Sequence, residues 1–449
     1  MNKEKKDLTI PKLRFPEFAR GDEWKIEAFG SVYGFESTNS FSRDNLNYDA
    51  GEVKNIHYGD IHTKFSTLFD INKEMVPFIN RSIPIDKIKP ESYCMIGDMI
   101  FADASEDLKD IGKSIEIINL NNERLLSGLH TLLARQKSSK LVVGFGGHLF
   151  TTNSIRKQIQ REAQGAKVLG ISATRLSNIF ICFPENKLEQ RKIASCLSSL
   201  DDLISAHTQK MEALKAHKKG LMQQLFPAEG ERVPKLRFTN FKDSGEWESH
   251  PLSDFISSLD AGVSVNSGDR PAADEELGIL KTSCVTNGVF EPMENKVVAE
   301  ELEIGRLKES VSRNTIIISR MNTPALVGAN AYIDIDISNI FLPDRLWAAK
   351  PKLNANMRFI AHILSSVKGR KALAELATGT SDSMKNISKP DVLDMKILAP
   401  GAQEQREIAD CLSSLDVLIT EQIKKIQQLR DHKKGLMQGL FPNFDKVNT

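Results

Sequence analysis

The chain has 449 residues, of which 40% are hydrophobic and 27% charged. That is the balance of a folded globular protein, at a length beyond one ordinary core, so two or three domains are expected. A net charge of +1 argues against a uniformly basic nucleic-acid binder, although charge segregated onto one face leaves a neutral sum. The five cysteines form no CxxC pair and no Cys/His cluster, which argues against structural zinc and a disulfide framework and for a reducing compartment. No apolar run approaches the roughly 18 residues that cross a membrane, and the opening MNKEKKDLTI lacks a signal-peptide core. A cytoplasmic protein is expected.

In chain order, PKLRF at Pro11 to Phe15 is followed by Glu23-Trp24. The stretch Ser92 to Leu120 reads as strand, turn, strand. LHTLLARQK and LVVGFGGHLF then suggest further strands or a strand-to-helix passage. GFGGH, Gly144 to His148, lacks the spacing and the acidic partner of a dinucleotide fingerprint and reads as a turn. No Walker-type loop and no Asn/Asp-Pro-Pro-aromatic quartet occurs.

From Glu189 to Pro227 runs EQRKIASCLSSLDDLISAHTQKMEALKAHKKGLMQQLFP, and Glu404 to Pro442 repeats it without a gap as EQREIADCLSSLDVLITEQIKKIQQLRDHKKGLMQGLFP. Such self-similarity governs how the whole chain is read. Apolar residues fall at Ile193, Leu197, Leu200, Ile204, Met211, Leu214, Leu221 and Leu225, interrupted by His207 and Lys218. The second copy has Ile408, Leu412, Leu415, Ile419, Ile426, Leu429, Leu436 and Leu440, interrupted by Gln422 and Lys433. These are heptad seams of coiled-coil helices, each on the order of 50 Å long. A helix of this kind cannot bury its stripe alone, and the other copy in the same chain is the expected antiparallel partner because it is present at high effective concentration. The alternative is a homodimeric coiled coil. Proline ends both helices.

Between the blocks, PKLRF returns at Pro234 to Phe238 and Glu-Trp at Glu246-Trp247. Asn314 to Ile337 aligns without gaps against Asp98 onward and sets Gly112 opposite Gly328. The globular regions are therefore duplicates too, but far more diverged than the helices. Two alike helices beside two drifting regions suggest a constant frame carrying two variable readers. The expected fold class is α+β, with two duplicated mixed α/β globular domains separated by two long antiparallel coiled-coil helices in pseudo-two-fold symmetry. The expected divisions are 1–184, first globular domain; 185–227, first coiled-coil helix; 228–400, second globular domain; and 401–449, second coiled-coil helix and tail.

Several segments carry a specific resemblance: PKLRFPEF, IHYGDIHTKF (Ile56 to Phe65), IGDMIFADASED with DIGKS, SGLHTLLAR (Ser127 to Arg135), IIISRMNTPALVGANAYI, ATGTSDSMKNISKPDVLDMKILAP (Ala377 to Pro400), and both EQR…LFP helices. Over nearly its whole length the chain resembles the specificity subunits of Type I restriction-modification systems. The resemblance implies two domains that each read half of a split, asymmetric double-stranded DNA target, with the paired helices acting as a ruler for the unread spacer. It also implies two methyltransferase subunits and restriction/translocase subunits as partners, and no membrane. S-adenosylmethionine, ATP and Mg would be used by those partners, with no catalytic residue, metal or cofactor on this chain. Competing readings are the recognition subunit of a related fused restriction-methylation enzyme, a self-contained DNA-modifying enzyme with a coiled-coil dimerisation arm, and a coiled-coil scaffold without a DNA role.

Base edges are read by Arg, Lys, Asn or Gln, while Ser, Thr and Lys commonly hold phosphates. By that chemistry the candidate DNA contacts are His57, Tyr58, His62 and Lys64 in the first region and Ser319, Arg320 and Asn322 in the second. The loops before the helices add Lys167, Ser172 and Arg175, and Thr378, Thr380, Lys385 and Lys389. The identical HKKGLMQ segments offer a candidate partner surface: His217, Lys218, Gly220, Leu221 and Met222, and His432, Lys433, Gly435, Leu436 and Met437. Asp98, Asp103 and Glu106 could belong to a nuclease metal site, but the turn chemistry of aspartate suffices for Asp98.

Overall fold

The computed structural model describes residues 9–378 and 384–444. The chain divides into two compact units, Met1–Thr208 with Lys424–Thr449, and Gln209–Ile423. The two long helices run Lys187–Leu225 and Ala402–Leu440, 39 residues each. Each is shared between the units. The division falls at Gln209 in one and Lys424 in the other, which are equivalent positions of the repeated block.

In the first unit a five-stranded sheet runs in the order Tyr33–Glu36, Thr131–Gln136, Met99–Ala102, Ser114–Asn119 and Leu68–Asp70. Met99–Ala102 is apolar at every position and buried on both faces, as a central strand must be. A smaller sheet orders Leu125–Ser127, Lys54–Ile56, Phe78–Ile79 and Leu46–Asn47. The second unit repeats the plan with Ile256–Ala261, Leu346–Pro351, Thr315–Ser319 and Asn330–Ile333, its central strand TIIIS again wholly buried.

The backbone pairing corrects the gapless alignment of the two regions. Thr131 pairs with Ala102, and Leu346 with Ser319, so Ala102 and Ser319 are equivalent. The glycines remain equivalent, since Gly112 N–H donates to Ala102 O and Gly328 N–H to Ser319 O. The second region is therefore one residue shorter between strand and glycine. Sequence alone hid this because the shift lies in a connection, where no periodicity fixes register.

What the repeated motifs do is visible at the joints. Arg14 of the first PKLRF forks onto Glu189 of EQR, Nε to Oε1 at 2.7 Å and Nη2 to Oε2 at 2.8 Å. In the second unit Arg237 forks onto Glu404 at 2.7 Å and 2.7 Å. Trp24 meets Phe441 edge-on at 6.0 Å, and Trp247 meets Phe226 edge-on at 6.1 Å. His148 Nε2 lies 3.2 Å from Ser198 Oγ, and His362 Nε2 lies 3.4 Å from Ser413 Oγ. Burial pushes both imidazoles down to about 3, so they are neutral packing groups at ordinary pH.

Within each unit the start of one long helix thus meets the end of the other, which is antiparallel packing. Seam residues are buried or half-buried in both copies. The lysines that interrupt the seams are paired: Lys433 Nζ donates to Asp201 at 2.5 and 2.6 Å in the first unit, and Lys218 Nζ to Asp416 Oδ1 at 2.5 Å in the second. Each ion pair is the duplicate of the other with the two helices exchanged. A pairing of this sort fixes register, since a one-turn slip would strand both charges against apolar neighbours.

Two expectations change here. GFGGH is not a simple turn: Gly144, at φ 89, is the N-cap of a six-residue buried helix, Phe145–Phe150. The sequence hid this helix because its glycines are poor helix formers; tertiary packing and the carboxylate of Glu116 hold it. In addition, half of the HKKGLMQ surface faces inward. Lys218 and Lys433 are committed to their aspartates, Leu221 and Met222 pack against the core of the second unit, and Leu436 and Met437 against that of the first. Heptad geometry places these positions on the seam. His217 and His432 are exposed, and a Cβ added at Gly220 or Gly435 would meet nothing within 4 Å.

Candidate nucleic-acid interface

In the first unit the segment IHYGDIHTK folds as a short helix, Tyr58–Thr63, begun by His57, whose Nδ1 accepts the Gly59 N–H at 3.2 Å. Only 8% of His57 is exposed, and burial lowers its basicity. Its ring is thus a helix cap rather than a surface contact, because an imidazole acceptor one step before the first turn satisfies an otherwise orphaned amide.

The Tyr58 ring collects the other aromatic groups. His57 lies tilted against it at 4.6 Å, His62 meets it edge-on at 6.1 Å, and His130 edge-on at 5.3 Å. His62 Nε2 is 3.0 Å from Ala104 O, and Lys113 Nζ donates to His62 O at 2.6 Å. Beside this cluster, Arg43 and Lys64 converge on the buried carboxylate of Asp60 at 2.7 and 3.0 Å. Two cations on one carboxylate hold it below its usual range despite burial and leave a positive surplus at the surface. Lys64 also lies 5.5 Å from the Tyr48 ring centroid. The candidates Tyr58, His62 and Lys64 stand together here, joined by Arg43 and His130, which sequence reasoning did not single out. His130 stands in the SGLHTLLAR segment already singled out; only folding brings it to Tyr58.

The loops before the helices come to the same neighbourhood through short antiparallel pairs. Leu169–Gly170 pairs with Ala104–Ser105 in the first unit, and Lys385–Asn386 pairs with Met321–Asn322 in the second. Lys167 and Ser172 are exposed. Ser172 caps the helix Ala173–Ser177 through the Arg175 N–H at 3.3 Å, and Arg175 pairs with Glu162 at 3.3 Å.

In the second unit Arg320 donates Nε to Asp344 O at 2.6 Å, with its guanidinium carbon 5.8 Å from the Trp347 ring centroid. Asn322 is opposite Lys385 in the strand pair, and its amide donates to Ser319 Oγ at 3.2 Å. Thr378 and Lys389 are exposed, whereas Thr380 lies outside the described residues. Ser319 is corrected: it has 0% exposure inside the central strand, so its hydroxyl serves Asn322 rather than a ligand. Arg345, exposed beside Arg320, was missed because nothing in its neighbouring sequence marks it.

The carboxylates weighed as a metal site are dispersed. Asp98 accepts the Met95 N–H at 2.8 Å and pairs with Arg135 at 2.7 Å. Asp103 faces His130 at 3.2 Å. Glu116 is a different matter: it is buried with no paired cation among the described residues, accepting the N–H groups of Gly144 at 3.0 Å and Gly147 at 2.6 Å. Burial pushes its carboxyl up to about 7, the two amides opposing that shift. Its folded pKa therefore lies above the unfolded value of 4.5, so its contribution to stability is full below about pH 4.5 and is lost as pH rises through about 7. Glu116→Gln should abolish that decline. Urea unfolding of the two proteins at pH 5 and pH 8 checks it, and identical pH slopes would count against a protonated Glu116.

With this geometry in view, the model of the Type I restriction modification DNA specificity domain matches residues 245–429. The chain is similar to the specificity subunits of Type I systems. Among curated proteins it is 25% identical to the Type I restriction enzyme MjaVIII specificity subunit of Methanocaldococcus jannaschii, over 75% of this chain and 78% of that one. Among solved structures it matches the S subunit of a Type I restriction-modification system from M. genitalium. That match has a TM-score of 0.61 and 15% identity and covers 96% of this chain and 99% of the other; it supports the family fold. No described helix is long and apolar enough to cross a membrane.

Proposed function

We propose that this chain is the DNA-sequence specificity subunit of a Type I restriction-modification complex, a cytoplasmic, non-catalytic protein. Each globular region reads one half of a split double-stranded target, and the paired helices set the distance between the halves. S-adenosylmethionine, ATP and Mg belong to the methyltransferase and restriction subunits that assemble on it. The observation that carries this reading is the contrast between joint and surface. The joints of the two units carry the same ion pairs, Arg14–Glu189 with Arg237–Glu404 and Lys433–Asp201 with Lys218–Asp416. The polar groups of the outer surfaces differ, by contrast: Tyr58, His62 and His130 with Arg43 and Lys64 in one region, and Arg320 and Arg345 with Thr378 and Lys389 in the other.

The outward parts of HKKGLMQ, His217 with Gly220 and His432 with Gly435, are the proposed attachment points for methyltransferase subunits. A glycine inside a helix costs about 1 kcal/mol, and nothing in either unit requires it there. The phosphate-holding groups proposed are Lys64, Lys167, Ser172, Arg175, Thr378, Thr380, Lys385 and Lys389, with His62, Tyr58, Arg320 and Asn322 nearer the bases.

The test is to co-express the chain with its cognate methyltransferase subunit in a methylation-free host and map methylated positions. A split asymmetric motif with a fixed unread gap is expected. A short continuous motif, or none, would sink the proposal, and stoichiometric S-adenosylmethionine binding by the isolated chain would favour a self-contained enzyme.

A further inference from the structure

The two regions share one backbone corner and decorate it with opposite chemistry. Asp103 N–H donates to His130 O at 3.1 Å, and Ile171 N–H donates to Asp103 O at 2.9 Å. In the other region Arg320 N–H donates to Arg345 O at 3.0 Å, and Ile387 N–H donates to Arg320 O at 2.9 Å. Asp103 and Arg320 therefore occupy one position of the framework, and His130 and Arg345 another. This equivalence follows from the hydrogen bonds and is invisible in the gapless alignment, which puts Ser319 opposite Asp103.

The side chains at this corner are held out for use. His130 takes φ 55, a left-handed conformation that costs energy for a residue with a Cβ and clusters at functional positions. Its ring is 51% exposed. Nδ1 faces Asp103 Oδ1 at 3.2 Å, the ring edge rests against Tyr58, and Nε2 has no hydrogen-bond partner among the described residues. A carboxylate at Nδ1 fixes the proton there, which leaves Nε2 as a lone-pair acceptor. The second oxygen of Asp103 is a further acceptor. In the other region Arg345 is exposed with no side-chain partner among the described residues. Arg320, anchored through Nε to Asp344 O, lies beside it. Two planar donor forks stand where the first region has two acceptors.

We propose that this corner is a base-reading position in both regions with opposite preference: His130, held by Asp103, accepts from an exocyclic amine, adenine N6 or cytosine N4, whereas Arg345, beside Arg320, donates to guanine O6 and N7. These pairings follow the donor and acceptor pattern of the major groove. Each corner also rejects the other's base, since acceptors facing O6 and N7, or guanidinium groups facing an amine, leave unpaired like dipoles. His130 and Arg345 are the groups that meet the base, and Asp103 positions His130. The inference rests on the DNA-reading function proposed above.

The test uses the full chain assembled with its cognate methyltransferase subunit. Binding is measured on a duplex carrying the mapped target and on duplexes with each half-site base pair replaced in turn. For His130→Ala, discrimination at a single position of one half-site should fall from roughly tenfold or more to near unity, with every other position unchanged. Arg345→Ala should do the same at a guanine in the other half-site, and Asp103→Asn should weaken discrimination at the position affected by His130→Ala. Uniform weakening on all duplexes with discrimination intact would overturn the inference, because it marks a phosphate contact. Loss of discrimination across a whole half-site would overturn it too, since that marks a structural role. If the unaltered complex reads no split target, the specificity-subunit reading fails as well; a split target unaffected by these variants defeats the corner alone.

Discussion

Arg14→Ala should destabilise the first unit by about 3–5 kcal/mol, because it leaves a buried carboxylate without its counter-ion. Glu189 is 1% exposed at the side chain and Arg14 11%. The guanidinium also donates to Gly21 O and Asp22 O at 2.9 and 3.0 Å, so the substitution frees two carbonyls of the arm that carries Trp24. Arg237→Ala should cost the second unit at least as much. Glu189 keeps a 3.3 Å contact from Trp24 Nε1, whereas Trp247 Nε1 makes no bond and gives Glu404 no such relief. Urea unfolding followed by peptide-resolved hydrogen exchange over Phe145–Phe150 and the start of the first long helix separates local loosening from global loss. A cost below about 1 kcal/mol would mean that water reaches Glu189 and the joint is not closed. Replacing both partners by methionine should recover most of the loss, since a well-packed apolar pair often matches a buried ion pair.

Gly112→Ala and Gly328→Ala are expected to cost about 2–5 kcal/mol each. Both glycines have positive φ, 62 and 73, which penalises a side-chain-bearing residue by about 1–2 kcal/mol. The added methyl would also stand 2.6 Å from Ile159 Cγ2 or 2.7 Å from Leu373 Cβ, and overpacking of this kind costs roughly 1–3 kcal/mol more. Gly220→Ala and Gly435→Ala make the contrasting pair. They sit in open space within long helices and should gain about 0.5–1 kcal/mol each in the isolated chain. If the same variants assemble less well with the methyltransferase subunit, the glycines are kept for that contact; unimpaired assembly would assign them no such role.

Much of the fold could be read in the sequence, for a physical reason that differs from part to part. The long helices declare themselves because a heptad seam needs no tertiary information to be recognised, and their ends are set by proline after Phe226 and Phe441. The equivalence of Gly112 and Gly328 was also legible, since a turn that only glycine tolerates leaves an invariant mark. The candidate interface was less legible. Tyr58, His62, Lys64, Arg320 and Lys385 were chosen by residue chemistry. Yet whether a polar side chain faces solvent depends on how the element that carries it packs, and so Ser319 in a central strand and His57 at a helix cap turned out to be interior groups. The inward half of HKKGLMQ went the same way, its lysines drawn to Asp201 and Asp416, far off in sequence.

By itself, then, the sequence determined the duplication, the two coiled-coil helices and the contrast between two alike helices and two more diverged globular regions, because periodicity and repetition are local properties. Only the tertiary structure decided which helix end meets which joint, where the one-residue shift lies between the regions, and which side chains share a corner. His130 comes to Asp103 and Tyr58, and Arg345 to Arg320, through strand pairing between segments remote in the chain. The order of strands in a sheet is fixed by the burial of both its faces at once, a condition that no window of sequence contains.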